Sequence, residues 1–579
     1  VRPRLSTIFF FFFLDNCAGR SQDEDMTSAT QDLSYRAGVW IWRGGYATRD
    51  LPKRAGLLWH GLDRCRPGCQ ACAAGCGKVW WTTRAAVAAA LAEHADASAV
   101  AALAEHTTTV AASRAADDAE LEIPAPAGLA YLPFQRAGIA YALARPATLL
   151  GDEMGLGKTI QVLGVINADP TIRRVLVCCP AGLRLNWQRE AERWLVRPFA
   201  LRIVTGVADL ADLPAATILI VNYDRLVGAH GRALHAALMD VETFDLLVAD
   251  EAHFLKSRKA QRTQALLGAP PRKREEVAAV PGLSSRATRF LALTGTPILN
   301  RPVEIQPLLA ALAPAEFGNF FAFARRYCCA TKGRFGWDFS GASHLDELQE
   351  RLRGTCMVRR LKSAVLPELP AKRRQVVELS ANGCAGAVER ERLAYAAHED
   401  TIAEARAEAD LAHAAADEGL YRAAVARLRQ AAQVAFAEMA QIRHEVAVAK
   451  APRVVEHVQA MLDEGIGKVI VWAHHHDVVR VLREGLAEYG CAVVTGEVTD
   501  QAARQAEVDR FQTDETCHVF LGSITAAGVG ITLTAASHVV FAELDWVPAN
   551  VSQAEDRCHR IGQPESVLIP HLVLDGSLD

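Results

Sequence analysis

Residues Ala147–Leu150 read A-T-L-L, and Asp152–Thr159 read D-E-M-G-L-G-K-T. A short apolar run, a glycine-rich turn and a helix-forming segment, in that order, are the context of a phosphate-binding loop. Gly155 and Gly157 let backbone N–H groups approach phosphate oxygens, Lys158 reaches the outer phosphates, and Thr159 offers a hydroxyl to Mg²⁺. Asp152 stands where the common pattern has its first glycine. Further short apolar runs follow at Val175–Cys179, Ile218–Val221, Leu246–Ala249 and Phe290–Leu293. Runs of this length and composition are expected of parallel strands buried on both faces. The fold class read from them is α/β.

Two of these runs carry a motif at their C-terminal end. Asp250-Glu251-Ala252-His253 follows Leu246–Ala249, so Asp250 is assigned to the metal and Glu251 to orienting or deprotonating the attacking water. Thr294-Gly295-Thr296-Pro297 follows Phe290–Leu293, where small hydroxyl side chains suit a relay from nucleotide to bound polymer; an ordinary turn is the plain alternative. Gln135 lies upstream, and its primary amide can both donate to and accept from an adenine edge, although a lone Gln is more often a surface residue.

Strand–helix alternation returns at Lys468–Trp472, Ala492–Val494, Val519–Gly522 and Val539–Phe541. Within this second stretch, Gly528-Val529-Gly530 can bring backbone amides to a phosphate. Gln553–Gln563 reads Q-A-E-D-R-C-H-R-I-G-Q, with Arg557 and Arg560 at i,i+3 on one face of an expected helix. A bound triphosphate needs such cations as charge builds on its γ-phosphate. Gln553 and Gly530 complete the candidate nucleotide contacts.

The domain reading is as follows. Residues 1–25 are a leader outside the folded protein, with Met26 as the start. Residues 26–84 form a small Trp- and Cys-rich β module, and 85–127 a helical segment and linker. Residues 128–375 are a first lobe, 376–460 a helical insertion rich in Ala, Glu, Arg and Leu, and 461–579 a second lobe expected to lack its closing helix after Asp579. At 579 residues the chain is too long for one core. Lys plus Arg is 63 and Asp plus Glu 67, a net charge of −4, so polyanion contact must come from local basic stripes. Outside Gly268–Arg289 the densest such stretch holds Arg359, Arg360, Lys362, Lys372, Arg373 and Arg374, of which the first four are the candidate nucleic-acid contacts; the stretch serves equally as phosphate contacts or as a solvated linker. Fourteen cysteines in a chain of this kind imply reduced thiols. Cys65, Cys69, Cys72 and Cys76 have a spacing that could hold Zn²⁺, with incidental thiols as the alternative. No stretch approaches the roughly 20 apolar residues of a membrane span.

D-E-M-G-L-G-K-T, D-E-A-H, L-T-G-T-P-I-L-N-R-P and Q-A-E-D-R-C-H-R-I-G-Q, in that order from Leu132 to about Leu574, resemble the Snf-type ATPases of helicase superfamily two. Met357–Ser363 with Leu369–Lys372, Gly336–Ala342 and Val540–Leu544 are similar to HepA-related annealing helicases, and the Trp-rich module to accessory domains of bacterial relatives. The resemblance implies two RecA-like lobes, ATP and Mg²⁺, and tracking along duplex or forked DNA without sequence specificity. Single-strand-binding protein or RNA polymerase are possible partners under that resemblance, and a cytoplasmic, nucleoid-associated location is expected. Remodelling of a nucleoprotein complex, strand separation, and a non-hydrolysing ATP-gated scaffold are the rival readings. Thr294 joins the four basic residues as a candidate nucleic-acid contact.

Overall fold

The computed structural model describes residues 32–36, 39–44, 49–60, 79–241, 243–269, 280–298, 300–333, 336–414, 418–498, 500–524 and 530–577. The chain divides into two compact units. One comprises residues up to Glu153, Lys158–Pro180 and Arg193–Leu361; the other comprises Met154–Gly157, Ala181–Glu192 and Lys362–Asp579.

The first unit opens with four antiparallel strands, β1 (Asp32–Arg36), β2 (Val39–Arg43), β3 (Leu58–His60) and β4 (Val79–Thr82), in the order β1-β2-β4-β3. Trp40 and Trp42 pair opposite Thr82 and Trp80, and their rings bury with Leu33, Leu57 and Leu91 as a separate small core. The helix Ala97–Arg114, within the expected helical segment and linker, is tied to this module. Asp96 caps it by accepting from Ala99 N–H at 2.8 Å, and Asp96 N–H bonds Leu33 O on β1 at 2.8 Å.

A seven-stranded sheet follows in the same unit: β5 (Ala147–Leu150), β6 (Arg174–Cys179), β7 (Ala200–Val204), β8 (Thr217–Asn222), β9 (Phe244–Ala249), β10 (Ala287–Leu293) and β13 (Met357–Val358). A hairpin of β11 (Thr331–Gly333) and β12 (Gly336–Asp338) stands apart from it. The sheet order is β13-β5-β10-β9-β6-β8-β7 and every pairing is parallel. Its apolar strands are buried on both faces, as their continuous Val, Leu and Ile content requires.

The second unit holds a six-stranded parallel sheet of β14 (Lys372–Leu379), β15 (Val469–Ala473), β16 (Cys491–Val494), β17 (Val519–Ser523), β18 (His538–Phe541) and β19 (Val567–Leu574), ordered β14-β19-β18-β15-β17-β16. Both sheets have the parallel α/β form expected of RecA-like lobes. Two expected boundaries move. Residue 375 falls inside β14, which pairs along all 8 of its residues with β19, so the first unit ends at Leu361. The helices Ala385–Ala414 and Glu418–Asp463 occupy the expected insertion, but the end of the second is not separate from the lobe. Ala447, Ala451, Val454, Val458 and Met461 pack into one core with Val469, Val471 and Leu521 of the sheet.

No helix among the described residues is long and apolar enough to cross a membrane.

Candidate nucleotide site

In the first unit β5, β10 and β9 are neighbours, so the three motifs that follow them emerge at one edge of the sheet. Ligands of open parallel sheets bind outside such carboxyl ends. The loop after β5 leads into the helix Lys158–Ala168, with Thr159 as its second residue. Gly155 and Gly157 take φ of 83° and 75°, a left-handed backbone that a side chain would resist. Lys158 Nζ donates to Asp152 O at 2.9 Å. Burial pushes its ammonium pKa down, while the carboxylates of Glu251, Asp152 and Asp250 pull it back up. The lysine and both residues of the D-E pair thus share one electrostatic environment.

Asp250 is nearly buried, and Tyr223 Oη donates to its backbone oxygen at 2.8 Å. Glu251 adopts φ 48°, rare for a residue with a side chain and of the kind often found at functional sites. Glu251 Oε2 lies 3.3 Å from His253 Nδ1, and that nitrogen lies 3.1 Å from Thr294 Oγ1. Thr294 Oγ1 also accepts from Thr296 N–H at 3.2 Å. A polar chain therefore runs from Glu251 through His253 to the T-G-T-P turn. Thr294 is 1% exposed, so it is placed as an internal link and not as a surface contact for nucleic acid.

Asp152, the residue in the glycine position, is fully buried and clamped. Arg360 donates Nε to Asp152 Oδ1 at 2.9 Å and Nη2 to Oδ2 at 2.5 Å, and its backbone N–H reaches Oδ1 at 2.9 Å. Gln161 Nε2 donates to Oδ2 at 2.9 Å. The same guanidinium meets Phe134 O and, at 3.3 Å, Ala115 O. Its neighbour Arg359 donates to Gly151 O at 2.6 Å and Gly295 O at 3.0 Å, tying the phosphate loop to T-G-T-P. Neither arginine fits a role on DNA phosphates: Arg360 is 3% exposed, and both guanidinium groups are spent inside the unit. Sequence reasoning missed this clamp. The available signal was the buried loop carboxylate itself, which requires a buried cation.

Gln135 is also buried, and its Oε1 accepts from Leu132 N–H at 3.0 Å at the start of the helix Pro133–Leu143.

In the second unit, Gln553 lies buried on the helix Pro548–Glu555. That helix ends before the arginines. Arg557 and Arg560 sit in the turns that follow it, not on a helix face as expected from their spacing. The reason is competing bonds. Leu533 N–H takes Arg557 O at 3.0 Å, and Gln563 Nε2 donates to Ala536 O at 2.7 Å and Cys558 O at 3.3 Å, which folds the segment back. Arg560 Nη1 donates to Thr532 Oγ1 at 2.6 Å, and burial pushes its pKa down, opposed by Asp556. The loop tip Met154–Gly157 belongs to this unit, and a Cβ on Gly155 would come within 2.7 Å of Arg560 Cβ. Gly530 follows with φ 84°; Gly528 and Val529 lie outside the described residues.

Lys362 and Lys372 are also taken. Lys362 Nζ lies 3.0 Å from Asp556 Oδ1 and donates to His559 O at 2.6 Å. Lys372 Nζ meets Asp556 Oδ1 at 2.9 Å and Glu555 Oε2 at 3.1 Å. Between Arg360, anchored in the first unit, and Lys362, anchored in the second, stands only Leu361, 48% exposed. These four cations thus work internally, Arg359 on backbone carbonyls and the other three on buried carboxylates; of the remaining two in the stretch, Arg374 pairs with Glu555 at 2.6 Å and Arg373 is exposed.

Cys65, Cys69, Cys72 and Cys76 lie outside the described residues, and among the described residues no group of His, Cys, Asp or Glu is arranged to hold a metal ion.

An SNF2-related domain matches residues 134–407, and a helicase conserved C-terminal domain matches residues 451–562. The chain is 35% identical over 452 residues to SWI/SNF-related matrix-associated actin-dependent regulator of chromatin subfamily A-like protein 1 of Xenopus tropicalis, covering 77% of this chain and 43% of that protein. It is 34% identical over 456 residues to the DNA annealing helicase and endonuclease ZRANB3 of Mus musculus, covering 77% of this chain and 39% of that protein. The chain thus spans less than half the length of both relatives. A Sulfolobus solfataricus SWI2/SNF2 ATPase core in complex with dsDNA aligns over 79% of this chain and 90% of its own at 20% identity, with a TM-score of 0.37. With the two domain matches spanning the phosphate loop, D-E-A-H, T-G-T-P and both arginines, the chain belongs to the Snf-type ATPases of helicase superfamily two.

Proposed function

We propose that this protein is an ATP-dependent double-stranded DNA translocase with annealing-helicase activity. The observation that carries the reading is the convergence of Lys158, Asp250 and Glu251 at the ends of adjacent strands, with His253 linking Glu251 to Thr294. The residues fit a magnesium–nucleotide substrate: a left-handed glycine loop, a lysine at a helix start, a hydroxyl at Thr159 and a strand-end carboxylate. Thr159 and Asp250 would hold Mg²⁺, which neutralises charge on the phosphates when bound. Lys158 orients the outer phosphates, and Glu251 positions or deprotonates the attacking water. Gly155, Gly157 and Gly530 present backbone amides, Gln135 and Gln553 complete nucleotide recognition, and Arg557 and Arg560 neutralise the γ-phosphate. The change in nucleotide state passes from Glu251 through His253 to Thr294, and so to the track.

Duplex or forked DNA is the proposed track, supported by a relative named DNA annealing helicase and endonuclease ZRANB3. The test is ATP hydrolysis measured with single-stranded, duplex, forked, protein-coated and RNA substrates, and with a stalled RNA polymerase complex. Duplex stimulation is expected, and Lys158→Ala or Glu251→Gln should each lower it by at least roughly 100-fold. Undiminished turnover in either variant would overturn the assignment. Stimulation by the polymerase complex alone would replace the naked-DNA reading. Zinc at Cys65, Cys69, Cys72 and Cys76 is a finer part of the proposal, tested by metal content of the purified chain.

A further inference from the structure

The first unit carries an aromatic cluster that the nucleotide site does not use. It is built from the helix Phe320–Tyr327, the hairpin β11–β12 and Phe339. Phe320 and Phe339 pack against the main core of the unit, with ring centroids 5.0 Å apart. Phe321 and Trp337 lie beyond them, 5.4 Å from each other, and Phe321 is 44% exposed. The Trp337 and Phe339 rings are nearly parallel, at 6°. Core packing below and solvent above make a rigid, ring-faced shelf, an expensive arrangement for a surface with nothing to bind.

Its rim is positively charged. The Arg325 guanidinium lies 5.5 Å from the Trp337 ring centroid and that of Arg258 4.6 Å from the Phe320 centroid. Lys332 pairs directly opposite Trp337 in the hairpin register, placing both side chains on one face. No carboxylate forms an ion pair with these three cations among the described residues. The hairpin's own acid, Asp338, follows Trp337 in the strand and so stands on the opposite face of the hairpin, where it accepts from Ser340 N–H at 2.9 Å and Ser340 Oγ at 3.0 Å. An exposed ring, Phe321, beside a half-buried one, Trp337, edged by unpaired cations, is what sequence-tolerant single-strand binders present: bases stack on the rings and phosphates meet the charges. A closed duplex keeps its base faces stacked and has nothing to lay on such a shelf.

We infer that this shelf binds an unpaired base of single-stranded DNA, with Phe321 and Trp337 as the stacking faces and Arg325 and Lys332 on the flanking phosphates. The inference rests on the reading of the chain as a nucleic-acid motor and adds a second contact point outside the ATP site. It locates single-strand recognition on the first unit, on residues that have no role in the nucleotide site.

The test is fluorescence anisotropy of the full chain with a labelled oligo-dT and with a duplex of equal length, at low and moderate salt. Trp337→Ala and Phe321→Ala should each weaken oligo-dT binding roughly 5- to 150-fold, the range for loss of one base stack, and affect the duplex far less. Trp337→Phe, which keeps a ring, should recover most of the loss. Arg325→Ala, a surface change, should weaken oligo-dT binding and flatten its salt dependence. Unchanged oligo-dT affinity in both ring variants overturns the inference, as does equal loss on oligo-dT and duplex. Binding of an acidic, aromatic peptide that Trp337→Ala abolishes while oligo-dT binding stays intact overturns it in favour of a protein partner. Duplex-stimulated hydrolysis by the unaltered chain separates the two readings. If it is absent, the motor reading falls and this inference with it; if it is present and the ring variants are silent, only the shelf is wrong.

Discussion

Asp152 in the first unit and Glu555 in the second are both fully buried carboxylates beside residues assigned to the nucleotide, yet they are held in different ways. Among the described residues Asp152 makes one direct ion pair, with Arg360, supplemented by the neutral Gln161 and by the more distant charge of Lys158. Glu555 and its neighbour Asp556 share Lys362, Lys372 and Arg374, with His571 at 3.6 Å from Glu555. A single buried pair is brittle, because removing either member strands the other without solvent. A shared set redistributes, since each acid keeps a partner when one cation is lost.

The sharpest way to break this contrast is Arg360→Ala, which leaves Asp152 buried and unpaired. It should cost about 3–5 kcal/mol in urea unfolding of the full chain. Arg360→Lys should not recover it, because an ammonium cannot reproduce the two-pronged contact. Glu555→Gln comes next. Burial alone would raise the Glu555 pKa, but the nearby His571 ring, the hydrogen bonds from Arg374 and the charge of Lys372 outweigh it and lower the value from 4.5 to about 2. Its stabilisation is therefore complete above pH 4.5 and lost as pH falls towards 2. The substitution should cost about 3 kcal/mol near neutral pH, and the gap from the unaltered protein should close on acidification. Lys372→Ala should cost only about 1 kcal/mol, because Lys362 stays on Asp556 and Arg374 on Glu555. A loss as large as that of Arg360→Ala would show that the second network is no more redundant than the first. Arg392→Ala, on the exposed pair with Glu389, should leave the unfolding midpoint unchanged and sets the floor of the series.

The parallel strands β5, β6, β8, β9, β10 and β15 to β18 were legible because each holds a short apolar run, and the motifs after β5, β9 and β10 sit where the sequence places them; β7, β13 and β19 were not read as strands. β14 was not legible. It reads K-R-R-Q-V-V-E-L and is mostly exposed, as an edge strand defended by charge tends to be, so its sequence resembles a basic linker. That resemblance moved the expected boundary past Leu361. The roles of Arg359, Arg360, Lys362 and Lys372 were hidden for a related reason. Their partners Gly151, Asp152, Glu555 and Asp556 are about two hundred residues away, and a run of cations looks the same whether it faces phosphate or a buried acid. The turn at Arg557 was misread because helical spacing says nothing of the carbonyls that Gln563 would capture.

The clamp on Asp152 also works as a splint. Arg360 holds that carboxylate and the carbonyl of Phe134, and Arg359 beside it holds the carbonyls of Gly151 and Gly295, so two adjacent side chains fasten three segments of the first unit that are far apart in sequence. The phosphate loop is therefore secured by residues that are synthesised about two hundred positions after it. Hydrogen-exchange protection of the backbone around Gly151 should appear in refolding only together with that of β13, which precedes the two arginines and pairs with β5. Protection that arises well before β13 docks would show that the loop needs no such fastening.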